Sequence, residues 1–173
     1  MTLDIELLDA VALDAAISDL AELLQACVQN GASVGFVLPL PIEEAARFWR
    51  GLAPSVTEGS RLLLVARADG RIAGTVQLSL AVMPNGRHRA EINKLLVHPE
   101  SRRRGIARAL MIEAEALARC RDRTLLVLDT ANGEAAEPLY ASLGYERVGI
   151  VPDYAITPWG VLEATTIMYK RLG

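Results

Sequence analysis

The sequence predicts a single mixed α/β domain spanning residues 1–173, and three observations carry the prediction. Two strand-like runs, Arg61 to Ala68 and Arg71 to Leu80, are joined by Asp69-Gly70, a strong two-residue hairpin signal. From Arg104 to Arg119 the apolar positions Ile106, Leu110, Ala114 and Leu117 recur at helical spacing, giving an amphipathic helix of about four turns. Leu125-Leu126-Val127-Leu128 is a continuous apolar run between two helical patterns, which predicts a central strand covered on both faces. Strands come first and helices are then inserted between strands, with no internal repeat and no linker.

The remaining elements follow in order. Leu3 to Leu8 is apolar enough for a first strand. Asp14 is the expected cap of a helix whose apolar positions Ile17, Leu20, Leu24 and Val28 share one face. A second helix is expected from Ile42 to Leu52, and Met83-Pro84-Asn85-Gly86 supplies a turn after the hairpin. Glu91 to Val97 reads as a strand that Pro99 stops. Glu134 to Leu143 is a further helix ended by Gly144, and Tyr145 to Val151 and Glu163 to Lys170 are the last strands.

Composition bounds what such a domain does. With 51% hydrophobic and 23% charged residues the chain is the opposite of a disordered one, and 173 residues bury about 70% of their unfolded surface. The sequence carries 18 Lys plus Arg against 21 Asp plus Glu, and all but Lys94 and Lys170 of the basic residues are Arg. A net charge of -3 argues against a general nucleic-acid binder, so the arginines act locally. Leu23 to Ile42 is uncharged over about the length of a bilayer span, but Gln25, Gln29, Asn30, Ser33, Pro39 and Pro41 interrupt it and no basic anchor flanks it, so no membrane partner is expected. The acids in Met1-Thr2-Leu3-Asp4-Ile5-Glu6 oppose a signal peptide, and a cytoplasmic location is expected. Cys27 and Cys120 read as small buried hydrophobes, with one bridge left open, and the two histidines form no cluster, so no metal is expected.

The most informative stretch is Val97-His98-Pro99-Glu100-Ser101-Arg102-Arg103-Arg104-Gly105-Ile106-Ala107, which joins a strand to a helix. A helix start already carries partial positive charge and unpaired N–H groups, so three arginines placed there call for an anion. Gly105 lets a ligand approach the backbone closely. Neither a Walker loop nor a G-x-G-x-x-G string after a strand is present.

Arg102-Arg103-Arg104-Gly105-Ile106-Ala107 resembles the Q/R-x-x-G-x-G/A signature of the GNAT superfamily of acyl-CoA N-acyltransferases. Leu139-Tyr140-Ala141-Ser142-Leu143-Gly144-Tyr145-Glu146 resembles its second signature. Gly31 to Phe36, Gln77 to Leu80, Pro84 to Gly86, Arg89 to Glu91, Leu128 to Thr130 and Ala155 to Pro158 resemble stretches of its tabtoxin-resistance acetyltransferases. The resemblance implies a mixed, mostly antiparallel sheet of six to seven strands with about four helices, and a central parallel pair splayed around coenzyme A. It implies acetyl-CoA as cosubstrate, held by Arg102, Arg103, Arg104, Gly105, Ile106, Ala107 and Arg108 at its pyrophosphate, by the backbone of Leu95, Leu96 and Val97 at its pantetheine arm, and by Asn132. It also implies toxin or antibiotic resistance as a role, and a monomer or homodimer.

A thioester is already activated, so transfer needs a base for the amine, an oxyanion donor and a proton for the leaving thiolate. Glu91 is the first candidate base, and strand alternation puts it on one face with Asn93, Leu95 and Val97. Asp129, ending the apolar run, is the second. By resemblance Tyr140 is the acid at the coenzyme sulfur, the N–H of Val97 is the oxyanion donor, and Tyr145 packs in the core. Trp49 and Trp159 read as packing residues, although Trp159 in the Pro158-Trp159-Gly160 turn could border the acceptor. The resemblance further makes the uncharged segment around Ser33, Val34 and Phe36 a cover over the acceptor pocket, which suits a small-molecule amine. The rivals are acetylation of a protein N-terminus or lysine, and a non-catalytic acyl-CoA sensor.

Overall fold

The computed structural model describes residues 2–133 and 135–173. Met1, and Glu134 where a helix was expected to begin, lie outside the described residues. Strand β1 (Leu3–Leu8) leads into α1 (Ala10–Gln29), then α2 (Ile42–Arg50) and a short α3 (Ala53–Thr57). The hairpin β2 (Arg61–Ala68) and β3 (Arg71–Leu80) follows, then β4 (Arg89–Val97) and α4 (Ile106–Cys120). The chain closes with β5 (Leu125–Ala131), α5 (Ala136–Ser142), β6 (Glu146–Ile156) and β7 (Leu162–Arg171).

All seven strands form one sheet in the order β1-β2-β3-β4-β5-β7-β6. Every neighbouring pair is antiparallel except β4 and β5, which run parallel. The β2–β3 turn is the expected one: Asp69 and Gly70 both have positive φ, 49° and 84°, the geometry that matches strand twist. Helices α1, α2 and α3 cover one face of the sheet, where Leu13, Ile17, Leu20, Leu24 and Val28 pack on Leu63, Val65 and Leu96 around the fully buried Trp49. Helix α4 covers the other face, where Ile106, Leu110, Met111 and Ala114 meet Leu62, Leu64, Val76, Leu78, Ile92, Leu126 and Leu128.

Several expectations need correction. Helix α1 starts a turn earlier than Asp14: the carboxylate of Asp9 accepts from the Ala12 N–H at 2.8 Å, and Asp14 lies inside the helix. The expected helix to Leu52 stops at Arg50, and Pro54 begins the separate turn of α3. Strand β5 buries Leu126 and Leu128 but leaves Leu125 and Val127 half-exposed, so one of its faces is covered rather than two. Strand β6 continues past Val151 to Ile156 through a register irregularity where Asp153 has φ 52°. As an edge strand it tolerates Pro152, whose missing N–H interrupts no ladder on its outer side. Cys120 is exposed and unbridged, while Cys27 is buried. No helix among the described residues is long and apolar enough to cross a membrane.

Candidate active site

Strand β4 is joined to β5 only at its beginning, where Arg89, Ala90 and Glu91 pair with Leu125, Leu126 and Val127. Beyond that point β4 stays with β3 and β5 stays with β7, so the two parallel strands part and leave a wedge between Ile92–Val97 and Leu128–Ala131. Glu91 sits at the last paired position and Asp129 two residues past it on the opposite bank. Leu126 and Leu128 belong to the α4 face, so by alternation Asp129 points to the α1 face, as does Glu91 next to the buried Ala90 and Ile92.

The parting of the strands coincides with a β-bulge. Gln77 is opposite Asn93 but Thr75 is opposite Leu96, so β4 spends three residues where β3 spends two. Lys94, with φ 48°, occupies the extra position. Alternation is thereby reset: Leu96 packs among the α1-side residues, whereas Leu95 and Val97 pack on the α4 side. The expected shared face of Glu91, Asn93, Leu95 and Val97 therefore holds only for Glu91 and Asn93, because the bulge turns the last two to the other side.

The turn before α4 is built largely from backbone. Pro99–Ser101 make one turn of 3₁₀ helix, Arg102 is extended, Arg103 has φ 62°, and Gly105 has φ 79° at the helix cap with no side chain satisfying the first amides. Leucine or valine at position 105 would be strained by that φ, although no atom lies within 4 Å of where a Cβ would stand. Arg102, Arg103, Arg104 and Arg108 are exposed, and the ion pairs among the described residues involve Arg67, Arg119, Arg147 and Lys170 instead. Arg102 Nε donates to the Val97 carbonyl at 3.4 Å, and Arg108 donates to Ser142 Oγ at 2.6 Å, tying α4 to α5. Ile106 is buried and Ala107 half-buried, so those two contribute amides rather than side chains to the turn.

Tyr140, on α5, is 5% exposed and meets the Tyr145 ring edge-on at 5.8 Å. Burial, and then the charge of Asp129, push its phenol above the ordinary tyrosine range, so it is a held proton. Tyr145 is buried beside it, consistent with packing. Asn132, at the end of β5, accepts through Oδ1 from Thr166 Oγ1 at 3.0 Å and Arg147 Nη2 at 3.2 Å, and with Gly133, Glu137, Pro138, Ala141 and Arg147 it borders a cavity of about 470 Å³. That network ties Asn132 to β7 and β6.

Over the α1 face, the segment 30–41 forms a roof. Ala32, Val34, Phe36 and Leu38 pack down onto the core, with the Phe36 ring edge-on to Phe48 at 5.3 Å, and Ser33 is half-buried beside them. The Leu38 N–H donates to the Pro158 carbonyl at 2.8 Å, and Gly31 lies directly against the Trp159 ring, so the roof is tied to the β6–β7 turn. Trp159 is 66% exposed, which places it at the seam rather than in a core, bordering a cavity of about 520 Å³ with Val37, Leu38, Ile156, Pro158 and Gly160.

The structure also gathers polar residues that the sequence reading passed over. On the α1 face Arg61 Nη1 donates to Gln77 Oε1 at 2.5 Å and Ser79 Oγ to Asn93 Oδ1 at 2.6 Å, while Lys94 lies over the Phe48 ring at 5.6 Å. The signal was present: Gln77 and Ser79 alternate with Val76, Leu78 and Leu80, marking one polar face on a strand that is otherwise apolar. Glu91 and Asp129 thus stand at the closed end of the wedge, and the Asp129 charge acts on both Tyr140 and Lys94. No group of His, Cys, Asp and Glu among the described residues could hold a metal ion.

Both the sequence and this fold have counterparts among known proteins. A family model described as the Acetyltransferase (GNAT) family matches residues 19–145. The chain is 32% identical over 122 residues to an uncharacterized N-acetyltransferase from the hisH-hisA intergenic region of Azospirillum brasilense, covering 69% of this chain and 71% of that one. The fold superposes with a TM-score of 0.80 on yncA from Salmonella typhimurium, solved with its cofactor acetyl-CoA, at 18% identity over 100% of this chain and 95% of that one. It superposes with a TM-score of 0.78 on a ribosomal-protein-alanine N-acetyltransferase from Brucella melitensis, at 22% identity over 98% and 99% of the two chains. The chain belongs to the GNAT family of acetyltransferases.

Proposed function

We propose that the chain is an acetyl-CoA-dependent N-acetyltransferase that transfers the acetyl group directly to an amine of a small molecule, either amino-acid-like or an antibiotic or toxin of the tabtoxin type. The observation that carries this reading is the roofed, two-sided wedge: acids on one face at its closed end, a buried phenol on the other face, and a helix start with free amides after β4.

In this reading the turn from Arg102 to Arg108 holds the coenzyme's pyrophosphate through amide N–H groups, with guanidinium groups adding charge from solvent. The unpaired edge of β4 at Leu95, Leu96 and Val97 receives the amide-bearing arm, and the Val97 N–H faces the developing oxyanion. Glu91, directly or through water, takes a proton from the acceptor's ammonium so that the neutral amine attacks the thioester carbonyl, with Asp129 beside it. Tyr140, kept neutral by burial and by Asp129, returns a proton to the leaving thiolate. Ser33, Val34 and Phe36 close the acceptor from above, and a roof so tightly packed on the core favours a small acceptor over a polypeptide.

The test is thiol release from acetyl-CoA across a panel of amino acids, amine antibiotics and peptides with free N-termini, followed by mass measurement of the product. Release with small amines and none with peptides is expected. Acetyl transfer to peptide N-termini alone would replace the reading by a protein acetyltransferase, and acetyl-CoA binding without transfer to any amine would replace it by a sensor.

A further inference from the structure

We infer that Lys94 and Arg61 form an anion-binding pair on the acceptor side of the wedge, so that the acceptor is an amine that also carries a carboxylate. The inference rests on the small-molecule activity proposed above and names the class of molecule.

Lys94 stands at the bulge of β4, and its ammonium is drawn in under the roof, 5.6 Å from the Phe48 ring centroid and 3.6 Å from where a Cβ on Gly35 would lie. Arg61 begins β2 on the same face, with one nitrogen committed to Gln77 and its Nε buried without a partner. Gln77 itself is fully buried, and its Nε2 also lacks a partner among the described residues. Two cationic groups and an orphan amide donor thus share one face of β2, β3 and β4, close enough for the Arg61 charge to act on Lys94, and neither cation joins an ion pair among the described residues. Removing charges from water without a counter-charge is costly, and burial already drives Lys94 below the ordinary lysine range, opposed by Asp129 and Glu91 and reinforced by Arg61.

The same face carries two acids, Glu91 on β4 and Asp129 on β5, which fixes the kind of anion it takes. Arg61 lies opposite Ser79 and Ser79 opposite Glu91, so the line from cation to acid crosses β2, β3 and β4, with Asp129 one strand further on β5. Neighbouring strands are about 4.8 Å apart, so the backbone positions of Arg61 and the two acids are separated by roughly 10–14 Å, a span that the long Arg61 side chain shortens. A purely anionic molecule would be repelled by Glu91 and Asp129, and a simple amine would leave Lys94 and Arg61 without a partner. A zwitterion satisfies both ends: its amine meets the acids at the closed end of the wedge and its carboxylate meets Lys94 and Arg61 under the roof. A protein N-terminus, whose nearest backbone carbonyl is neutral, fits this arrangement poorly.

The experiment compares the proteinogenic amino acids and a set of dipeptides with their C-terminal carboxamides, by thiol release from acetyl-CoA. Carboxylates should exceed their matched carboxamides by about tenfold or more in kcat/KM, through KM, as expected for loss of one charge-assisted hydrogen bond. Lys94→Met should bring that ratio close to one while leaving acetyl-CoA affinity, measured by calorimetry, unchanged, and Lys94→Arg should restore it. Carboxamides used as well as carboxylates, or a preference that survives both Lys94→Met and Arg61→Met, would overturn the inference and leave the acetyltransferase reading intact. Failure of both series with acetyl-CoA still bound would overturn that reading and this inference together.

Discussion

The turn before α4 and the floor beneath the roof are built by opposite means. The turn is contiguous, ten residues from Val97 to Ile106, and it presents main-chain amides whose directions are set by Arg103 and Gly105 at positive φ. The floor is assembled across four strands, from Arg61, Gln77, Ser79, Glu91, Asn93, Lys94 and Asp129, and it presents side chains. A backbone site serves a constant ligand and tolerates side-chain change, whereas a side-chain site is free to diverge with its substrate. One fold can therefore keep its coenzyme and change its acceptor.

The sharpest separation between the two regions comes from Glu91→Gln. It should lower kcat by about 10²–10⁴ while leaving acetyl-CoA affinity within about twofold, by thiol release and calorimetry. An unchanged rate would move the base to Asp129. Tyr140→Phe should cost about a hundredfold in kcat, again with little change in coenzyme binding. Equal losses in both would make Tyr140 a packing residue. Because the Tyr140 phenol is held above its usual range, its acid form persists past pH 10, and kcat should show no decline from it up to that pH.

Gly105→Val tests the other region. Forcing a β-branched residue to φ 79° costs about 1–2 kcal/mol, which should weaken acetyl-CoA binding about tenfold and leave the acceptor KM alone. A matching rise in acceptor KM would mean that the two regions are not separable. The smallest effect belongs to the thiols. Burial pushes Cys27 up to about 11, so iodoacetamide at pH 8 should label Cys120, spare Cys27 and leave activity unchanged. Labelling of Cys27 would show that the roof and α1 open readily.

The same contrast decides what could be read in the sequence. The Arg-rich turn, the Asp69-Gly70 hairpin, α4 and the succession of strands and helices along the chain were legible because each is local and leaves a composition or spacing mark. Glu91, Asp129 and Tyr140 were identified singly, and only the register shows that Glu91 and Asp129 stand two positions apart on facing strands, with the Asp129 charge reaching Tyr140. The bulge at Lys94 was invisible: lysine has no preference for positive φ, so nothing in Asn93-Lys94-Leu95 announces that alternation reverses there. The partnership of Arg61 with Gln77 required knowing which residues face each other across a hairpin. Asp9 rather than Asp14 capped α1 because both satisfy the same residue preference, and only the hydrogen bond to Ala12 distinguishes them. The continuation of β6 past Pro152 was hidden because a proline stops a central strand but not an edge.

The bulge has a bearing on how this chain can change over generations. Loops such as the roof absorb inserted or deleted residues at low cost, but β4 is read in parity. Asn93 and Leu96 share the α1 face although three residues apart, because Lys94 is the extra residue between them. Losing Lys94 would leave Asn93, Leu95, Leu96 and Val97 in plain alternation on their present faces, and would straighten β4 where it parts from β5. Substitution at Lys94 keeps the kink and changes the charge, whereas deletion removes both.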